Sequence, residues 1–95
     1  MIVEISAVPI GVGESLSAYV AEVLKIIKQK GLKHQLTSMG TIVELNDFDE
    51  LCSLLKEFDK KLTELGSRRN YYVIKIDSKK TTMEDKVKSV IDKIR

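Results

Sequence analysis

The chain has 95 residues, which is enough for one domain with one hydrophobic core. Hydrophobic residues make up 43% of it and charged residues 32%, a balance typical of a globular rather than a disordered chain. Sixteen basic and 14 acidic residues leave a net charge of +2, which gives no electrostatic basis for binding nucleic acid or a membrane surface. We therefore predict a single domain over residues 1–95.

The chain shows no targeting or metal-binding pattern. No apolar stretch approaches the roughly 20 residues of a membrane helix, and no basic segment precedes an apolar run at the start. We therefore expect a cytoplasmic protein. With one cysteine, Cys52, and one histidine, His34, we expect neither a metal site nor a cofactor. Cys52 is interpreted as a small buried hydrophobic residue and His34 as an edge-strand or solvent-facing residue.

The first two elements are a strand and a helix. Residues 2–8 are β-rich and hydrophobic, and Pro9 is expected to end the strand. Ser15 is a plausible N-cap of the helix that follows, and Gly31 is expected just beyond its end. Apolar residues recur at helical spacing between them: Leu16, Val20, Val23, Leu24 and Ile27.

A hairpin, a second helix, a strand and a third helix follow. Residues 34–38 and 41–45 flank Met39 and Gly40, which predicts a two-residue turn. Asp47 opens the second helix with Glu50 as its capping partner, and residues 69–77 form the last strand. Thr81 or Thr82 caps the third helix, whose apolar face consists of Met83, Val87, Val90, Ile91 and Ile94.

The element order β-α-β-β-α-β-α predicts an α+β fold of the ferredoxin-like split βαβ type with an added C-terminal helix. Both longer helices then cover one face of a four-stranded antiparallel sheet. Strand alternation assigns the residues of this core face, with Leu36 expected opposite Val43. They are Val3, Ile5, Ala7, Leu36, Thr41, Val43, Leu45, Tyr72, Ile74 and Ile76.

The opposite face of the sheet, here called the open face, mixes apolar residues with carboxylates and hydroxyls. Its members include Ile2, Glu4, Ser6, Val8, Gln35, Thr37, Ile42, Glu44, Tyr71, Val73, Lys75 and Asp77. Several β-branched residues on one sheet face indicate that it is covered. Subunit packing and a ligand pocket both remain open, and small-molecule sites often form where subunits meet. The third helix could pack on its own sheet or on a neighbour's.

Little in the chain points to catalysis or RNA binding. Glu4 and Glu44 could face each other across neighbouring strands, but nothing else completes an acid–base mechanism. The same two carboxylates would repel the phosphates of RNA on the face that RNA-binding domains of this topology use. Gly11 and Gly13 are interpreted as a turn, because the complete phosphate-binding pattern is missing. We therefore expect a binding or assembly module rather than an enzyme.

Five segments resemble the small thiamine-binding family with a ferredoxin-like fold. They are residues 5–11, 16–21, 36–44, 66–77 and 82–87, and together they span nearly the whole chain. The first strand and the central hairpin are the most specific parts. The resemblance implies a non-catalytic protein that binds thiamine or its hydroxymethylpyrimidine part. It also implies a homodimer or homotetramer that packs sheets face to face.

Thiamine is a cation with two heteroaromatic rings, and the resemblance implies side chains that could bind it. Glu4 or Glu44 could offset the charge or accept from the aminopyrimidine, and Tyr71 could stack on a ring. Ser6, Thr37 and Ser38 could hydrogen-bond to ring nitrogens. The alternatives are a structural oligomer without a ligand, in which these groups serve subunit contacts, and an enzyme that uses Glu4 and Glu44.

Overall fold

The computed structural model describes residues 1–13 and 15–95. It contains the predicted seven elements in the predicted order. These are β1 (Ile2–Ile10), α1 (Ser17–Gln29), β2 (His34–Leu36), β3 (Thr41–Glu44), α2 (Phe48–Glu64), β4 (Arg69–Asp77) and α3 (Met83–Lys93). All neighbouring strands are antiparallel, in the order β2-β3-β1-β4. The predicted α+β fold with split βαβ topology and an added C-terminal helix is confirmed.

The core lies between the sheet and the two longer helices. Apolar residues one helical turn apart on α1 and α2 face alternate residues of β1 and β3, as the two periodicities require. The buried hydrophobic residues are Met1, Val3, Ile5, Val23, Ile27, Val43, Leu45, Leu51, Leu54, Phe58 and Leu62. Ala7, Tyr72 and Ile74 pack against this cluster. The predicted core face is therefore correct for β1 and β3.

Three predicted residue environments are wrong. Ile76 shares the core face and pairs with the buried Val3, but it is 43% exposed because β4 is an edge strand of the sheet. Leu36 is 54% exposed at the end of the short edge strand β2. Cys52 is exposed on α2, since the buried stripe of that helix runs through Leu51 and Leu54. His34 lies on the edge strand, as expected.

Two element ends differ from the prediction. β1 continues through Pro9 to Ile10, because Pro9 pairs with Asn70 of β4 at a position where the sheet does not need its missing N–H. The N-cap of α1 is Leu16 rather than Ser15, and no side chain of the described residues caps this helix. Thr82, one of the two predicted candidates, caps α3 by accepting a hydrogen bond from the backbone N–H of Asp85.

The central hairpin turns one residue earlier than predicted. The backbone N–H of Thr37 donates to the carbonyl of Gly40 at 2.8 Å, so Ser38 and Met39 occupy the two corners. Leu36 consequently pairs with Thr41, and His34 takes the place opposite Val43. Each residue of β2 therefore pairs with a residue of β3 two positions away from the predicted one. Because side chains alternate between the two faces of a sheet, this even shift leaves each side chain on its predicted face.

Helix α3 stands apart from the rest of the molecule. Val87, Val90 and Ile94 are 60–74% exposed, although they form the apolar stripe of the helix. The radius of gyration is 14.4 Å, against about 12 Å for a compact domain of this length. The helix therefore begins beside the open face and then extends away from it.

Candidate functional site

A cavity of about 270 Å³ opens where the sheet becomes narrower. β1 pairs with β4 along its full length, but only Ile2 to Ile5 pair with β3. Beyond Ile5, the edge of β1 that faces β3 has no strand partner. The β2–β3 turn and the first half of α1 surround this free edge. We call this space the turn cavity. It is lined by Ile5, Ser6, Ala7, Val8, Leu16, Val20, Val23, Ile27, Leu36, Thr37, Ser38, Met39, Gly40, Thr41 and Phe58.

The polar side chains of the turn cavity come from β1, from the turn and from Thr41 at the start of β3. The Thr37 hydroxyl donates to the Gly40 carbonyl at 2.8 Å and accepts the Gly40 N–H at 3.2 Å. It also accepts the Met39 N–H at 3.3 Å, so it satisfies two turn amides at once. Ser38 is exposed at the turn corner, and Ser6 is half-buried on β1. Among the described side chains that line this cavity, within residues 1–13 and 15–95, none is charged.

Gly40 brings Glu4 close to the turn cavity. A Cβ atom at Gly40 would lie 3.1 Å from the Ile5 carbonyl oxygen and 3.4 Å from the Glu4 Cγ. The missing side chain therefore allows the turn to lie against β1. It also brings the Glu4 side chain beside Gly40, which lines the turn cavity.

Glu4 and Glu44 do not face each other, contrary to the expectation. Glu4 pairs with Ile42 on one side and Lys75 on the other, and Glu44 pairs with Ile2. Glu44 also has its own partners at the opposite end of the sheet from the turn. Its carboxylate lies 3.4 Å from the Lys33 ammonium group and accepts the backbone N–H of Met83 at 3.2 Å.

Lys33 links this end of the sheet to α3. It forms a second salt bridge with Glu84, which raises the pKa of Lys33 and lowers that of Glu84. Nearby, a hydrogen bond from Lys86 lowers the pKa of Asp77. These contacts hold the first turn and a half of α3 against the ends of β3 and β4.

A second cavity, of about 380 Å³, lies between α3 and the open face. We call it the helix cavity. Its apolar wall contains Ile2, Ile42, Met83 and Val87, and charged groups surround it. The remaining lining residues are Glu4, Lys75, Ile76, Asp77 and Lys86.

The structure brings together three of the six predicted binding residues. Ser6, Thr37 and Ser38 line the turn cavity. Glu4 lines the helix cavity, and its Cγ lies close to Gly40 of the turn region. Tyr71 is 53% exposed on the open face, opposite Val8. Glu44 lies in a broad polar hollow with Lys33 and Thr82.

Residues that the sequence analysis did not select also line the turn cavity. Ala7, Val8 and Leu16 form part of its wall, and Gly40 forms part of its rim. Alanine and valine carry no chemistry that a pattern search would select. The sequence signal that could have indicated this cavity is the length of β1 compared with that of the hairpin strands. The longer strand must extend past the end of the hairpin, which leaves part of its edge without a partner.

Other kinds of site find no support in the described part of the chain. Over residues 1–13 and 15–95, no group of three or more histidine, cysteine, aspartate or glutamate side chains could hold a metal ion. None of the helices in these ranges is long and apolar enough to cross a membrane.

Comparison with known proteins places this geometry in a family. The UPF0045 protein of Methanothermobacter thermautotrophicus is 35% identical over 95 residues, which cover 96% of each chain. The crystal structure of a hypothetical protein from Methanocaldococcus jannaschii has a TM-score of 0.82 at 32% identity, covering 96% of this chain and 95% of that one.

A third relative carries a functional description. It is a Thermotoga maritima protein provisionally assigned to thiamine biosynthesis or salvage. Its structure has a TM-score of 0.78 at 26% identity and covers 94% of this chain and 96% of that one. The family model described as thiamine-binding protein matches residues 3–91. The chain therefore belongs to the thiamine-binding protein family.

Proposed function

We propose that this protein binds thiamine or its hydroxymethylpyrimidine part in the turn cavity, without catalysing a reaction on it, as a cytoplasmic homo-oligomer. The observation that carries the proposal is the convergence of Ser6, Thr37 and Ser38 on one apolar cavity. Family membership supports a small-molecule ligand of this kind. An apolar cleft with a few convergent polar groups is the usual form of such a site.

The size and charge of the turn cavity favour one neutral ring inside it. Its 270 Å³ lies just below the range of roughly 300–1,000 Å³ for pockets that enclose drug-sized ligands. A cation would lose its hydration among the described lining side chains, none of which is charged, and this loss is costly without a counter-charge. The thiazolium ring is therefore placed outside the cavity, towards Glu4, and the aminopyrimidine ring within it.

The contacts that Glu44 already makes support a non-catalytic role. An acid–base pair has to reach the same reacting group. Here Glu44 already contacts Lys33 and the Met83 N–H, at the opposite end of the sheet from the turn cavity.

Titration calorimetry with thiamine tests the proposal. Saturable binding is expected, and Ser6→Ala and Ser38→Ala should each weaken it about 2- to 10-fold, the usual contribution of one hydrogen bond. Ser53→Ala is the matched control, because Ser53 is exposed on α2 and does not line the turn cavity. The absence of binding at millimolar thiamine, or equal losses in all three variants, contradicts the proposal.

A structural oligomer without a ligand is the second candidate. The observation that favours it is the exposed apolar stripe of α3 beside the open face, where Tyr71 and Val73 are also more than half exposed. Contact between copies would remove this surface from water. Both functions can coexist, and the thiamine titration separates an assembly that binds the vitamin from one that does not.

A further inference from the structure

The unpaired length of β1 presents a backbone donor and acceptor to the turn cavity. In an antiparallel sheet, the N–H and C=O groups of successive residues point alternately to the two sides of the strand. The Leu45 N–H donates to the Met1 carbonyl at 2.9 Å, so the backbone groups of Met1 point towards β3. By alternation, those of Val3, Ile5 and Ala7 do the same.

Ala7 is the point at which this pairing stops. Val3 pairs with Val43, and Ile5 pairs with Thr41. Continued register would bring Met39 opposite Ala7, but Met39 stands at the corner of the turn and its N–H bonds to the Thr37 hydroxyl. Within residues 1–13 and 15–95, no hydrogen bond reaches the Ala7 backbone from the β3 side.

The free edge is too short for another strand. Ile5 is already paired on one side of Ala7, and Pro9 on the other side has no N–H to donate. The edge therefore offers one N–H, from Ala7, and the carbonyls of Ala7 and Pro9. Strand addition needs a row of alternating donors and acceptors, whereas a small planar ligand needs only one of each.

We infer that the Ala7 N–H and C=O read the amino group and the adjacent ring nitrogen of a 4-aminopyrimidine in the turn cavity. The amino group donates to the Ala7 carbonyl, and the ring nitrogen accepts the Ala7 N–H. This inference rests on the proposed function and deepens it, because it makes a backbone edge, rather than a side chain, the group that determines ligand specificity.

The surroundings of Ala7 suit this ligand class. Ala7 and the turn residues Met39 and Gly40 line the same cavity, so a ring bound at the Ala7 edge lies between β1 and the turn. The described lining side chains carry no charge, which favours a neutral ring. Ser6 and Ser38 remain available for the ring's substituents, because neither hydroxyl has a hydrogen-bond partner among the described residues.

Hydrogen exchange followed by ¹⁵N NMR tests the inference on the intact protein. In the free protein, the Ala7 amide should exchange much faster than that of Ile5, which pairs with Thr41. Saturation with thiamine, or with 4-amino-5-hydroxymethyl-2-methylpyrimidine, should slow Ala7 exchange at least about 10-fold while Ile5 stays unchanged. Each good pair of such hydrogen bonds distinguishes ligands by about 10- to 100-fold.

A thiamine analogue with a 4-oxo group in place of the 4-amino group completes the test. It reverses the donor and acceptor, so its binding should be about 10- to 100-fold weaker than that of thiamine. If thiamine binds while Ala7 exchange is unchanged and the analogue binds equally well, the inference is wrong and the proposed function stands. Protection of Ala7 in the free protein also overturns it. No binding of thiamine overturns both.

Discussion

Gly40 fixes the distance between the turn and β1. Its φ angle is not positive, so what requires glycine here is space and not backbone conformation. A methyl group at Gly40 would lie 3.1 Å from the Ile5 carbonyl oxygen, which is backbone and cannot move aside without moving β1.

We expect Gly40→Ala to lower the free energy of unfolding by about 1–3 kcal/mol, as overpacking does, and to weaken thiamine binding. Urea denaturation measures the first effect and calorimetry the second. Ser38→Ala, at an exposed turn corner, is the control for stability and should change it by less than about 0.5 kcal/mol. A Gly40→Ala protein as stable as the wild type would contradict this account of the turn.

A polar network joins α2 to β4 on the core face. The Asp59 carboxylate accepts hydrogen bonds from the Asn70 amide and the Tyr72 hydroxyl, both at 2.8 Å. These bonds, the one from Asn70 foremost, lower the pKa of Asp59, while burial and then Asp59 itself raise the pKa of Tyr72.

Removing the Tyr72 hydroxyl should therefore destabilise the protein modestly. We expect Tyr72→Phe to lower the free energy of unfolding by about 1 kcal/mol, since the bond is made to a charged but partly solvated group. Tyr71→Phe is the matched control, because Tyr71 is half exposed on the open face. Equal effects of the two variants in urea denaturation would show that the network contributes nothing.

Helix α3 is held mainly by charged contacts at its start. Lys86 bonds to Asp77, Lys33 bonds to Glu84, and Glu44 accepts the Met83 N–H. The two salt bridges lower the pKa values of Asp77 and Glu84 below their ordinary values of 3.8 and 4.5. Their stabilisation is therefore complete above these ordinary values and is lost as the pH falls through the lower folded-state values.

Acidification should loosen α3 before the core unfolds. As the pH falls from 6 towards 2, backbone NMR shifts of α3 should move towards coil values, while those of Leu54 and Phe58 in α2 stay native. Asp77→Asn should show part of this change already at pH 6. Simultaneous loss of α2 and α3 signals would argue that packing, rather than these charges, holds α3.

The sequence predicted the elements well because periodicity and caps act locally. Asp47 with Glu50 and Thr82 with Asp85 form the capping bonds that such patterns indicate. The hairpin turn was misplaced because the Thr37 hydroxyl bonds to two turn amides, and this side-chain contact outweighed the preference for glycine at a corner. Cys52 was predicted to be buried from its residue type alone, whereas its position on α2 lies outside the buried stripe of Leu51, Leu54, Phe58 and Leu62.

The candidate site was predictable only in part. Ser6, Thr37 and Ser38 carry hydroxyls and lie within segments that resemble the family, so they could be selected from the sequence. Ala7 could not, because its contribution is a backbone edge that exists only once β3 ends. The relation of Glu4 to Glu44 depended on the strand register, which separates their positions although both lie on the open face.

As a whole, the molecule is elongated, with extents of 47 × 28 × 20 Å, and exposes apolar residues on α3 and the open face. We expect light scattering to give a mass above the 10.7 kDa of one chain at micromolar concentration. Val90→Lys or Val73→Lys should shift the protein towards the monomer, because each places a charge in the surface that copies would bury.

Ser89→Lys is the matched control, since it adds the same charge to α3 at a position next to Val90 outside the apolar stripe. It should leave the mass unchanged. A wild-type protein that remains a monomer at 100 µM would contradict the assembly through these faces.

A crystal structure of the protein saturated with thiamine tests the central claim most directly. The account predicts a pyrimidine ring in the turn cavity, between Ala7 and the turn residues Ser38 and Met39, with the thiazolium ring outside it towards Glu4. Thiamine bound in the helix cavity beside Met83 and Val87, or density only at the surface of α3, would contradict it.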